Sequence, residues 1–145
     1  MQLSKRTQYG LRAMICLADH YQRGFLQTKE LAAREGLPTK FLESILSALT
    51  RGKFLTSKIG STGGYRLARS PQNVSVADIV TRLEGNQLID DEEHDDANER
   101  PGEIAVRLLS EQLSAALRQI LTSTTLAQLT EQVSATSRGN QMYYI

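Results

Sequence analysis

The sequence holds one cysteine, Cys16, and no tryptophan in 145 residues, and aromatics make up only 6%. A single thiol excludes an intramolecular disulfide and any cysteine-only metal site. No run approaches the roughly 18 consecutive apolar residues that a membrane span requires. No signal-peptide core follows Met1-Gln2-Leu3-Ser4-Lys5-Arg6, so the expected location is the cytoplasm, away from membranes. Internal repeats are absent. The glycines at 60, 63 and 64 lie between two strand-like runs, not between a strand and a helix where a phosphate loop needs them. The carboxylates at 90–93 are consecutive, so their side chains diverge and frame no catalytic pocket. These absences argue against an enzyme. What remains is an ordinary globular composition, 40% apolar and 23% charged.

The charge is divided unevenly. Residues 1–70 carry 12 Lys/Arg against 4 Asp/Glu, and residues 71–145 carry 5 against 12. A net of +1 therefore joins a half at +8 to a half at −7. A basic half of this size suits a polyanion, provided that a structural element presents the charge.

Such an element is legible in the periodicity. Ser4 caps a first helix running to about Tyr21, with Leu11, Met14, Ile15 and Ala18 on one face. Gly24 breaks it. Thr28 caps a short second helix, Lys29 to Glu35, closed by Gly36. After Leu37-Pro38 a third helix runs from Thr39 to Arg51 and buries Leu42, Ile45, Leu46 and Leu49. The period then changes: residues 54–59 and 65–68 read as strands around the turn Gly60 to Gly64. Ser75 and Asp78 open a fourth helix that Gly85 closes.

Beyond an acidic loop containing His94, Pro101 suits a first helical turn. The longest periodic segment, Ile104 to Leu121, places Leu109, Leu113, Ala116 and Ile120 on one stripe, read as core or dimer seam. A short helix from Thr125 to about Val133 and a polar tail follow. The expected fold is mainly α with a small β-hairpin wing: a winged helix-turn-helix domain plus a long C-terminal dimerisation helix. Its divisions are residues 1–86 for the domain, 87–103 for the loop, 104–133 for the dimerisation helices and 134–145 for the tail.

A helix in the major groove reads base edges with its N-terminal residues. On the third helix these are Thr39, Lys40, Glu43, Ser44 and Ser47, opposite the apolar face. Lys40 can reach guanine or phosphate, and Glu43 can accept from a cytosine amino group. A carboxylate there also discriminates against wrong partners. Lys5, Arg6 and Thr28 are candidates for gripping the backbone, and Lys58, Ser61, Thr62 and Gly63 for contact by the wing. Cys16 reads as a small buried hydrophobe; a redox role would need exposure and a lowered pKa.

Three stretches carry a resemblance: Leu3-Ser4-Lys5-Arg6-Thr7-Gln8-Tyr9-Gly10-Leu11-Arg12-Ala13-Met14, Gly60-Ser61-Thr62-Gly63-Gly64-Tyr65-Arg66-Leu67-Ala68, and Asp78-Ile79-Val80 with Leu83-Glu84-Gly85. With Ser123-Thr124-Thr125-Leu126 they resemble the Rrf-type winged helix-turn-helix transcription regulators, the family of IscR, NsrR and CymR. The resemblance implies a homodimeric repressor of double-stranded operator DNA. Members with an iron-sulfur cluster carry three cysteines in the loop before the long helix, whereas Leu88 to Gly102 holds none. The first helix offers only Gln8 and Arg12 where some members lend a further ligand. No cofactor or metal is therefore expected. Ile59 also stands where an arginine is common in the wing.

The cysteine-free loop and the closing Met142-Tyr143-Tyr144-Ile145 are most similar to the cysteine-metabolism branch typified by CymR. That branch works with O-acetylserine sulfhydrylase. The resemblance implies Tyr144 and Ile145 as a docking tail, a free carboxylate with an apolar side chain; packing back onto the dimer is the alternative. An adaptor of the same fold that has lost DNA binding is the contrasting class.

Overall fold

The computed structural model describes residues 3–85 and 96–142. The helices α1 (Lys5–Asp19), α2 (Thr28–Glu35) and α3 (Thr39–Arg51) precede a two-stranded antiparallel hairpin, β1 (Leu55–Lys58) and β2 (Gly64–Leu67). Helices α4 (Val76–Glu84), α5 (Pro101–Ser123) and α6 (Leu126–Met142) complete the chain. Single 3-10 turns occupy 71–73 and 96–98.

The core gathers under α3. Leu42, Ile45, Leu46 and Leu49 are all buried, as their spacing predicts. Each such side chain contributes on the order of 1.5–3 kcal/mol when removed from water. They meet Ala13, Met14 and Leu17 of α1, Leu31 of α2, Ile79 and Leu83 of α4, and Leu126 of α6. The buried face of α1 differs from the expected one. Thr7, Gly10, Ala13, Met14 and Leu17 lie inward, while Leu11 and Ile15 are only half-buried. Gly10 explains the rotation: a Cβ there would lie 2.3 Å from Leu83 Cδ1, so α1 and α4 touch at a point without a side chain.

Local chemistry sets the boundaries. The Ser4 hydroxyl accepts from the Thr7 amide at 3.2 Å and caps α1. Thr28 is not a cap but the first residue of α2, and Gln27 holds the cap position without a side-chain bond. Gly36 takes the left-handed conformation that ends α2 (φ 63°), and Leu37-Pro38 leads into α3. Thr125 and Gln128 form a reciprocal capping box at the start of α6, at 2.9 and 3.1 Å.

The expected end of the last helix near Val133 is corrected: α6 continues to Met142. Its hydroxyls fold back onto its own backbone: those of Ser134 and Thr136 donate to the carbonyls of Thr130 and Gln132. Helix α5 begins at Pro101, the residue suited to a first helical turn, and none of its residues is buried. Leu109, Leu113 and Ile120 are 57%, 55% and 62% exposed, and Ala116 is exposed beside them. The acidic residues 90–95, with His94, and the terminal Tyr144 and Ile145 lie outside the described residues.

The domain and the α5–α6 arm join through backbone. Val76 N–H donates to Thr124 O and Leu126 N–H to Val74 O, both at 2.9 Å, around an antiparallel bridge between Ser75 and Thr125.

Candidate nucleic-acid interface

On α3 the side opposite the core is exposed throughout: Thr39, Lys40, Glu43, Ser44 and Ser47. The same helical geometry adds Arg51, which follows Lys40, Ser44 and Ser47 at spacings of four, three and four. Arg51 is exposed and has no ion-pair partner among the described residues. Its position in the last turn hid it from a reading that looked only at the N-terminal residues.

Helix α1 feeds this face. The Arg6 guanidinium donates to Ser44 Oγ at 3.1 Å, bringing a cation from one helix onto the exposed polar side of another. Lys5 is exposed in the same first turn. At the other edge Arg12 pairs with Glu35 at 3.2 Å, donates to the Glu35 carbonyl and lies over the Tyr9 ring. Tyr9 in turn meets Phe41 of α3 edge to face, with ring centroids 5.6 Å apart. Exposed ion pairs contribute roughly 0–1 kcal/mol each, so this cluster mainly fixes the angle between α1, α2 and α3.

The wing is built by its glycines. In the turn, Gly60 has φ +113° and Gly63 N–H donates to Gly60 O at 3.0 Å. A Cβ on Gly63 would lie 2.0 Å from Lys58 O. Gly63 is buried and its amide is bonded to Gly60 O, so it shapes the turn of the wing. Lys58, Ser61 and Thr62 are exposed, and Ile59 is 99% exposed.

Two contacts hold the wing against α2. Leu26 and Tyr65 exchange backbone bonds at 2.9 and 2.8 Å, and Gln27 Nε2 donates to Ser61 O at 2.8 Å. Thr28, half-buried, sits directly after this latch. The structure thus brings Arg6 and Ser44 together, and joins the start of α2 to the wing tip. No bond connects Lys58 or Thr62 to α3.

Burial, and then the neighbouring Glu35 charge, pushes the Cys16 thiol above its usual pKa. It is a packed hydrophobe in the α1 core.

A helix-turn-helix whose second helix offers a polar face, followed by a glycine-closed hairpin, defines the winged helix-turn-helix class of DNA-binding proteins. The comparisons agree. The sequence profile of the Rrf2 family, described as an iron-dependent transcriptional regulator, matches residues 3–132, and the chain belongs to that family. The HTH-type transcriptional regulator CymR of Bacillus subtilis is 31% identical over 152 aligned residues that span both chains fully. The solved structure of CymR, described as the global cysteine regulator of B. subtilis, superposes with a TM-score of 0.80 at 32% identity. That match covers 91% of this chain and 98% of CymR. The structure of T. potens IscR gives a TM-score of 0.75 at 28% identity, covering 92% and 88%. The protein is a transcriptional regulator with a winged-helix fold.

The donor set does not fit an iron-sulfur cluster. Clusters need several thiolates, and the chain offers Cys16 alone, buried and held protonated. Among the described residues no three His, Cys, Asp or Glu side chains gather at one point.

Proposed function

We propose that this protein is a sequence-specific repressor that reads a two-fold symmetric operator as a homodimer, without an iron-sulfur cluster, in sulfur and cysteine metabolism. The observation that carries the reading is the face shared by Arg6, Lys40, Ser44, Ser47 and Arg51: three cations among hydrogen-bonding groups, with Glu43 as the one acceptor-only member. Cations on this face grip phosphates, and Lys40, Glu43 and Ser44 read base edges.

The homodimer is supported by α5. Its stripe of Leu109, Leu113, Ala116 and Ile120 has no cover among the described residues, and apolar area left in water forfeits about 25 cal/mol per Å². The α5 of a second copy supplies the complementary stripe. The assignment to cysteine metabolism is supported by the likeness to CymR. On the same footing Tyr144 and Ile145 dock into O-acetylserine sulfhydrylase, the chain end captured by backbone amides and a pocket for isoleucine.

Selection of sheared genomic DNA by the purified protein at near-physiological salt tests the whole reading. A recurring palindrome beside sulfur-assimilation genes is the expected result. A second reading, an adaptor that no longer binds DNA, draws on Ile59, an apolar residue wholly in solvent at the wing tip. No enrichment, with or without added sulfhydrylase, would favour it. If deleting Ile145 leaves sulfhydrylase binding unchanged, the docking tail is wrong.

A further inference from the structure

The wing has an outer face that the reading of its tip leaves unused. Leu55 pairs with Leu67, and both are buried, so this pair faces inward. Thr56 pairs with Arg66 and Lys58 with Gly64, which places Thr56, Arg66 and Lys58 on the opposite, outward face. The bridge between Leu26 and Tyr65 extends the ribbon by one more edge, and its antiparallel register sets Phe25 beside Arg66. Gly64 adds no side chain here, so Lys58 reaches diagonally across it.

Both cations end on the same ring. The Arg66 guanidinium carbon is 4.5 Å from the Phe25 centroid and Lys58 Nζ is 5.8 Å from it. Neither has an acidic partner among the described residues. Two like charges gathered on one aromatic ring repel each other unless an anion completes the cluster. The groups are donors only, which suits the acceptor oxygens of a phosphate.

We propose that Lys58, Arg66 and Phe25 form a seat for one backbone phosphate of duplex DNA, separate from the contacts of α3. The proposal rests on the DNA-binding reading above. It also accounts for the neutral wing tip: the charge stands on the strands, one step behind Ile59. Phe25 is a positioning residue that holds the two cations extended, and the seat adds affinity without sequence preference.

The test uses the full chain and fluorescence anisotropy with a random-sequence duplex over a salt series. Arg66→Gln and Lys58→Gln should each lower the slope of log K against log salt by about one unit. Phe25→Leu keeps both charges and should keep the slope, while weakening binding by about threefold. Melting temperatures of all three variants separate these effects from loss of the fold. Phosphate-ethylation interference on a selected operator should lose one flanking phosphate in Arg66→Gln and retain the rest. Unchanged slopes in both charge variants, with binding intact, would overturn the phosphate seat alone. An unaltered protein that binds no duplex would bring down the DNA-binding reading together with it.

Discussion

The backbone N–H of Ser4 donates to the Glu84 carboxylate at 2.7 Å, tying the start of α1 to the last turn of α4 across 80 residues of sequence. Hydrogen bonding by the Ser4 side chain, and then by Thr7 and the Ser4 amide, holds the Glu84 carboxyl below the usual carboxylate range. A carboxyl whose pKa falls on folding stabilises the native state above its unfolded value. That stability is lost as pH drops through the lower, folded value. Glu84→Gln should therefore melt below the unaltered protein at neutral pH, and the gap should close under acid conditions. Thermal unfolding followed by circular dichroism at several pH values measures this.

Arg6 and Ser44 predict separable effects on DNA binding. Arg6→Ala removes a cation and should lower the salt slope by about one unit. Ser44→Ala keeps the charge but frees the guanidinium, so affinity should fall with the slope little changed. Glu43→Ala should instead relax the preference at one base position, by about 1–3 kcal/mol of discrimination. Binding to a panel of singly substituted operators reads all three.

Gly64 occupies a conformation that side chains resist. Its φ is +129°, and a Cβ would lie 2.2 Å from Leu26 O. Gly64→Ala must displace the Leu26–Tyr65 bridge, at a cost of about 1–3 kcal/mol or more. The melting temperature should fall, and DNA binding should weaken with it, because the wing loses its attachment to α2.

The α5 stripe predicts an assembly defect without a folding defect. Leu113→Asp sets a charge where a second copy is proposed to pack, yet the side chain touches no core of its own domain. Sedimentation velocity should show monomers, while the helical circular dichroism of the domain persists. A dimer that survives this substitution would remove α5 as the seam.

Cys16 should be inert. With the thiol buried and its pKa raised, alkylation at neutral pH should be slow in the folded protein and fast after unfolding. Mild oxidants should leave the operator affinity of the unaltered protein unchanged, as in Cys16→Ala.

Much of the architecture is written in local punctuation. Gly36, Pro38 and Gly52 bracket α3 so tightly that its bounds follow from sequence, and the four apolar positions between them fix its buried face. What escaped depends on distant partners. The inward turn of Thr7 and Gly10 is set by Leu83, far along the chain. The length of α6 was hidden because residues 134–140 are polar on every side, and hydroxyl groups bonding back to carbonyls leave no apolar period to detect. Lys58 was legible as a wing cation. Its companions Phe25 and Arg66 were not, since a single bridge at Leu26 decides that they meet. Arg51 was available from helical spacing alone.

The clasp between Val74–Val76 and Thr124–Leu126 has a mechanical consequence. Bonds running both ways, with Leu126 sunk into the core, oppose a swivel of the winged-helix domain relative to the arm that carries it. In the proposed homodimer, two such domains on a common α5 axis would behave like a caliper with locked jaws, whose gap is set when the chain folds. On that proposal, a signal would have little leverage on the distance between half-sites. It must instead change how many calipers are assembled, or what else is holding them.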